Sequence, residues 1–307
     1  GGFRFDVDKP IHRALFRNPV ARGMRSRKLF AGLTHVALDG FEPYFHLKRR
    51  RKFAGDLAWL NAAGYKTALI AHGSDVRDPH RHIEINGKWS MYLAGDAEWR
   101  ADLARAARLH RAVAESSGRP VFYSTPDLRL DLEGGTWLPV CLDVNAWGTD
   151  APLLERAQPR VLHIPSKRTP PIKGTQFVDP VLRKLDDAGK IEYVCPESVP
   201  HSEMRSLVHD VDIVVDQLLA GSYGVAAIEA MSAGRVTVGR LAPPVLDLMP
   251  EAPPIVQATP DELEETIVAI VEDRDHYRRL GREGINFAHI WHSGKASATA
   301  LRGYLER

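Results

Sequence analysis

The chain has 307 residues, 44% hydrophobic and 26% charged, with a formal net charge of only +2. That composition belongs to a globular protein rather than a disordered or fibrous one, and the length suggests two domains. No apolar run approaches the roughly 18 residues that a membrane-spanning helix needs.

The polar, basic opening does not read as a signal peptide. Two cysteines, Cys141 and Cys195, make no disulfide framework, which points to a reducing, cytoplasmic setting. The charge is unevenly spread, because residues 1–60 hold 13 Lys/Arg against 5 Asp/Glu. The densest run is Lys48-Arg49-Arg50-Arg51-Lys52. It reads either as a solvated face or as a peripheral contact with anionic membrane, which would put the protein at the inner membrane face. Nucleic acid is not expected, since no recognition module accompanies the charge.

In chain order, the first strand signal is residues 34–38 (THVAL). A helix follows over 53–63 (FAGDLAWLNAA), stopped by Gly64. Residues 66–71 (KTALIA) form a buried-strand pattern ending in the polar turn His72-Gly73-Ser74-Asp75. A long amphipathic helix spans 97–117. Strands are expected at 121–124 and 136–140, and residues 144–158 read as a linker. A second unit opens with a strand at 161–164. It continues with a helix near 175–188, a strand at 191–194, a helix near 202–209, a strand at 212–215 and a helix over 224–233. A further strand is expected at 236–238, and Thr259-Pro260-Asp261-Glu262 starts a capped helix.

Strands alternating with helices imply two parallel sheets covered by helices, that is, two Rossmann-like α/β domains. Ligands then bind beyond the carboxyl ends of the strands. The expected division is 1–143, the linker 144–158, 159–288, and a terminal segment 289–307 whose helix, about 293–306, returns to the first domain. The first domain holds few strands before HGSD, so Gly1 is expected to lie inside it.

The loop after the 212–215 strand runs from Asp216 to Tyr223 and ends in Gly221-Ser222-Tyr223, with Gly224-Val225 opening the helix. Glycine there lets backbone approach a ligand, and the helix start offers amide groups and a positive dipole end. Together these suit a phosphate. Glu229, in the second turn, can accept from hydroxyl groups. The alternative is a tight turn needed only for packing. A second loop, Ser166-Lys167-Arg168-Thr169-Pro170-Pro171-Ile172-Lys173-Gly174-Thr175, gathers three cations suited to a diphosphate leaving group. His72, at a strand end, is a functional candidate, with Gly73 and Asp75 just after it; His201, at a helix start near the base pocket, is another. Asp75 reads equally as the cap of its own turn. His80 and His82 match no usual zinc spacing, so no metal site is expected. Neither G-x-S-x-G nor G-x-G-x-x-G is present.

PSKRTPPIKGT, VPHSEM and DIVVDQLLAGSYGVAAIEAMSAGRVTV, in this order, resemble the C-terminal half of family-4 retaining glycosyltransferases of the GT-B fold. KTALIAHGSDVR and VFYSTPDLRLDLEGGTWLPV look like the second half of that family's N-terminal domain. The resemblance implies a nucleotide-diphosphate sugar donor of UDP or GDP type, with no metal and no further cofactor. It implies that Glu229 binds the ribose and that Asp216, Gly221, Ser222, Tyr223, Gly224 and Val225 form the donor loop. Lys173 with Lys167 or Arg168 would steady the leaving diphosphate, and His72 would lie near the transferred sugar. The acceptor would be a cell-envelope glycan, a lipid-linked intermediate or a secondary metabolite. This chain departs from the pattern at one place. The family usually has a glutamate eight residues before the one matching Glu229, and here that residue is Gly221. The departure motivates two other readings, a catalytically silent GT-B protein and a nucleotide-sugar epimerase.

Overall fold

The computed structural model describes residues 30–41, 53–165, 170–196 and 199–306. The basic run 48–52, Lys167 and Arg168 lie outside these residues, as does the side chain of His201.

The first domain is built from β1 (His35–Asp39), α1 (Phe53–Ala62), β2 (Lys66–Ala71), α2 (Pro79–Asn86), α3 (Ala97–Ser116), β3 (Val121–Tyr123) and β4 (Thr136–Trp137). Its four strands are parallel, in the order β1-β2-β3-β4. Phe53, Leu57 and Leu60 lie on one face of α1 at helical spacing and are buried with Leu38, Leu69 and Tyr123. Each such leucine contributes about 2 kcal/mol. Strand β4 stops two residues in, shorter than the expected 136–140, because Pro139 has no amide to continue the ladder.

α2 was not anticipated, although Asp78 accepts the His80 amide at 2.9 Å and Pro79 occupies the first helical position. His80 and His82 are therefore two positions apart on a helix and diverge from one another.

The second domain follows α4 (Val144–Trp147). It comprises β5 (Arg160–His163), α5 (Thr175–Asp187), β6 (Glu192–Val194), α6 (His201–His209), β7 (Ile213–Val215), α7 (Val225–Ser232), β8 (Val236–Gly239), α8 (Pro243–Asp247), β9 (Val256–Gln257), α9 (Leu263–Glu272) and α10 (Arg274–Trp291). The parallel order is β6-β5-β7-β8-β9. Val161, Ile213 and Val236 from the strands meet Val178 and Leu182 of α5 and Ile267 and Ile270 of α9. α10 packs close on α7 at Gly284, where a Cβ would stand 3.3 Å from Met231, and on the turn after α7 at Gly281, where a Cβ would stand 2.6 Å from the Gly234 carbonyl oxygen. The stretch 144–158, expected as a linker, is knitted into this domain. Leu154 is fully buried, its amide donates to Asp212 at 2.6 Å, and Arg235 donates to the carbonyls of Ala151 and Pro152.

Among the described residues the chain passes between the domains twice, and the two crossings are bonded together. The Leu142 amide donates to His292 O, and His292 Nδ1 donates back to Val140 O, both at 2.8 Å. Trp137 stacks on Trp291 with ring centroids 5.2 Å apart. Beyond this point α11 (Lys295–Leu305) lies on the first sheet. Tyr304 packs against Phe122 and donates to Lys66 O at 3.1 Å, and Ser297 donates to Pro139 O at 2.6 Å. Among the described residues no helix is long and apolar enough to cross a membrane.

Candidate functional site

The carboxyl ends of both sheets face a cleft of about 580 Å³. On its first-domain side stand His72, Gly73, Arg77, Tyr92 and Thr125; on the other stand Gln217, Tyr223, Gly224 and Val225. The polar loops after β2, β3 and β7 meet there because parallel strands put all their carboxyl ends on one edge.

The β7–α7 loop is held from within by Asp216, 2% exposed. One oxygen of its carboxylate receives Lys173 Nζ at 3.0 Å, and the other receives the Gly224 amide at 2.9 Å. The Gly224 amide at the tip of α7, expected to be open for a phosphate, is thus already taken by a carboxylate. Lys173 keeps its backbone in the same unit, since the Leu218 amide donates to Lys173 O. Gln217 closes the loop by donating to Ser222 O at 2.7 Å.

Glu229 lies one turn behind the helix tip and is 7% exposed. Burial pushes its carboxyl up to about 7; Lys173 opposes this and Asp216 adds to it. A carboxylate so placed changes charge near neutrality and suits hydroxyl donors.

His72 stands at the mouth of the cleft with its side chain about half exposed. Asp39, at the end of β1, can only accept, so His72 Nε2 carries the proton between them. Nδ1 meets Ser124 Oγ at 2.9 Å. Three successive strands therefore each give one residue to this trio. Asp75 does not line the cleft; its carboxylate accepts the His72 amide at 3.0 Å and closes the turn.

Tyr223 reaches the cleft, but its hydroxyl is spoken for. It donates to His292 Nε2 at 3.1 Å, because Nδ1 of that ring donates to Val140 O. Burial pushes the Tyr223 phenol up and brings His292 down to about 4. This donor-loop residue is thus tied to the domain crossing.

Gly221 has φ +66, and a Cβ on it would meet Asn86 Oδ1 at 2.5 Å. Asn86 is fixed: Oδ1 accepts from Arg240 at 2.8 Å, and Nδ2 donates to His82 O at 2.9 Å. His82 in turn donates from Nε2 to Ala220 O at 2.9 Å and meets Ser90 at Nδ1. Burial lowers its pKa to about 4, with the nearby Arg77 and Arg240 acting in the same direction. The first domain therefore seals the 220–221 corner of the loop with the amino-terminal half of its own chain. The Met91 amide adds a backbone bond to Leu219 O.

Behind the cleft wall lies an ion pair that the sequence did not announce. Arg77 Nε donates to Asp127 Oδ2 at 2.7 Å, and both residues are under a tenth exposed. Burial alone would lower the Arg77 guanidinium, yet Asp127 holds it above its ordinary value. Burial would raise Asp127, yet Arg77, helped by the hydroxyls of Thr125 and Ser222, holds it below.

The structure thus brings His72, Gly73, Tyr223, Gly224 and Val225 to the cleft. It places Lys173, Asp216, Ser222 and Glu229 just behind, and turns Gly221 toward Asn86. Asp39, Arg77, Asn86, Ser124 and Asp127 were missed.

No protein-family model matches the chain, and no curated protein matches it. Solved structures do. Sucrose-phosphate synthase from Thermosynechococcus elongatus superposes with a TM-score of 0.61 at 14% identity, over 97% of this chain and 80% of that one. Anabaena HepE in complex with UDP gives 0.59 at 12%, over 94% and 82%. A glycosyltransferase from Rickettsia africae gives 0.59 at 11%, over 98% and 84%. At such identities the likeness is one of fold: two parallel-sheet α/β domains across a cleft, as in GT-B glycosyltransferases.

Proposed function

We propose that the protein is a glycosyltransferase that takes a sugar from a nucleotide-diphosphate donor. The observation that carries this reading is the unit Lys173–Asp216–Gly224 with Glu229 behind it, set against a cleft between two parallel sheets. Lys173, held at the helix tip by Asp216, would turn from that carboxylate to the diphosphate as charge gathers on the leaving group. Glu229 supplies an acceptor for ribose hydroxyls. That HepE, of the same fold, holds UDP supports a uridine or similar base. Retention of anomeric configuration, with Lys173, Lys167 and Arg168 serving in place of a metal, follows the resemblance in the sequence. His72, at the mouth of the cleft, would adjoin the transferred sugar, as the resemblance implies. Domain closure excludes the water that competes with the acceptor, a glycan, a lipid-linked intermediate or a small metabolite.

The test is calorimetric titration of the full chain with UDP- and GDP-sugars, followed by slow donor hydrolysis. Lys173→Ala and Glu229→Ala should each weaken binding roughly tenfold or more, the loss expected for a charge-assisted contact. If neither does, this donor site is wrong. A second reading, a silent nucleotide-binding protein, is favoured by the Gly221–Asn86 packing. Tight binding with no turnover in the presence of cell extract would select it.

A further inference from the structure

Three neighbouring strands deliver an aspartate, a histidine and a serine to one place. β1 ends in Asp39, His72 follows β2, and Ser124 follows β3. β2 pairs with both neighbours in parallel, so the three positions share one edge of the sheet. Their backbones are fixed. The His72 amide donates to Asp75, the Ser124 amide donates to Ala71 O at 3.1 Å, and Ser124 O accepts from Trp137 Nε1 at 3.4 Å. His72 and Ser124 both line the cleft, whose other side carries Gln217 and Gly224.

The partners set the direction of each hydrogen bond. Asp39 only accepts, so in the neutral ring Nε2 carries the hydrogen and Nδ1 is bare. Nδ1 therefore accepts from the Ser124 hydroxyl at 2.9 Å. A hydroxyl that donates its one hydrogen keeps lone pairs for a second donor. Ser124 is only 9% exposed, and the space it borders is the cleft. Both ring nitrogens are occupied, so a proton from the cleft reaches the ring by way of Ser124.

We propose that Ser124, His72 and Asp39 form a proton relay for the attacking hydroxyl, with His72 as general base and Asp39 as the positioning residue that sets its tautomer. The inference rests on the nucleotide-sugar reading given above. The attacking hydroxyl, of the acceptor or of water, donates to Ser124 Oγ. As its oxygen bonds to the sugar carbon, its proton passes to Ser124, and the serine's own proton passes to His72 Nδ1. The bond from that carbon to the diphosphate breaks, and its electron pair leaves with the diphosphate. The imidazolium, held by Asp39 and about half exposed, then gives its extra proton to solvent.

The experiment measures hydrolysis of UDP-glucose, UDP-N-acetylglucosamine and GDP-mannose by the full chain, with water as the acceptor, beside calorimetric affinity for UDP and GDP. His72→Ala and Asp39→Asn should each lower kcat about 100-fold, the value of a general base. The Asn side chain keeps the shape of Asp39 but can donate to Nε2, which moves the ring hydrogen to Nδ1 and blocks the serine. Ser124→Ala should lose roughly tenfold, because a water can stand in for the hydroxyl. Affinity for the bare diphosphates should hold within about twofold in all three, and added imidazole should return part of the His72→Ala rate. An unchanged kcat in Asp39→Asn and Ser124→Ala overturns the relay and leaves the donor reading standing. A loss of diphosphate affinity that matches the loss of kcat also overturns it, as does a sugar found covalently on Ser124 by mass spectrometry, which would make the serine a nucleophile. A wild type that binds a sugar nucleotide without turnover overturns the relay in favour of the silent reading. A wild type that binds no nucleotide overturns the functional reading and the relay together.

Discussion

Lys173 Nζ stands 3.0 Å from Asp216 Oδ1, with almost none of that carboxylate open to solvent. The pair spans 43 residues of sequence and joins the loop before α5 to the loop before α7. Removing one partner strands the other. Lys173→Met should lower unfolding free energy by about 3 kcal/mol, since it leaves a buried charge uncompensated. Adding Asp216→Asn should restore part of the loss, which urea unfolding of the two variants and the wild type reads as a coupling energy.

Glu229 gives a pH dependence whose sign is fixed. Its folded value, about 7, lies above the ordinary 4.5, so between these values the folded chain keeps a proton that the unfolded chain has shed. Stability should fall as pH rises from 4.5 to 7, by up to about 3 kcal/mol from this group. Glu229→Gln should remove that slope. Affinity for a UDP-sugar should rise with pH through about 7 as the carboxylate forms, and lie flat in the variant.

His82 and His292 act in the opposite direction. Both have folded values near 4, below the ordinary 6.5, so both favour the folded state above pH 6.5 and lose that contribution as pH falls toward 4. Protonating His292 at Nε2 also removes the acceptor that Tyr223 uses. Acid unfolding followed by tryptophan fluorescence should be shallower over this range in His82→Gln and in His292→Gln than in the wild type.

Gly221→Glu should not restore a sugar contact. It places a side chain at φ +66 and drives it into Asn86, at a cost of about 2 kcal/mol or more. Thermal unfolding should show the drop, and Asn86→Gly in the same chain should recover the steric part of it.

The alternation of strands and helices was legible because each strand is a short apolar run bounded by turn residues, and the order of elements gives parallel sheets. The loop from Asp216 to Gly224 was legible because its glycines precede a helical run carrying one acid. The short edge strand β9, with two residues, and α8, with five, were not read, because neither is long enough to show a period. Arg77 and Asp127 are 50 residues apart, and Gly221 and Asn86 are 135 apart. Such contacts depend on which strand ends share an edge, and no periodicity along the chain encodes that. The same holds for Asp39, His72 and Ser124. The sequence shows His82 only as the near neighbour of His80. Its partners, Ser90 and the Ala220 carbonyl, come from segments that only folding brings near.

The two crossings between domains, bonded to each other at Leu142 and His292, make a single hinge with two pins. One pin alone would let the second domain swivel freely; two side by side leave it one axis to turn about, as for a door in its frame. The latch is on the far side, where His82 meets Ala220 O, Asn86 meets Arg240, and Lys88 meets Asp261 at 2.7 Å. Parting the domains would break the latch contacts first in line, while Trp137 and Trp291 are stacked beside the crossings on the other side.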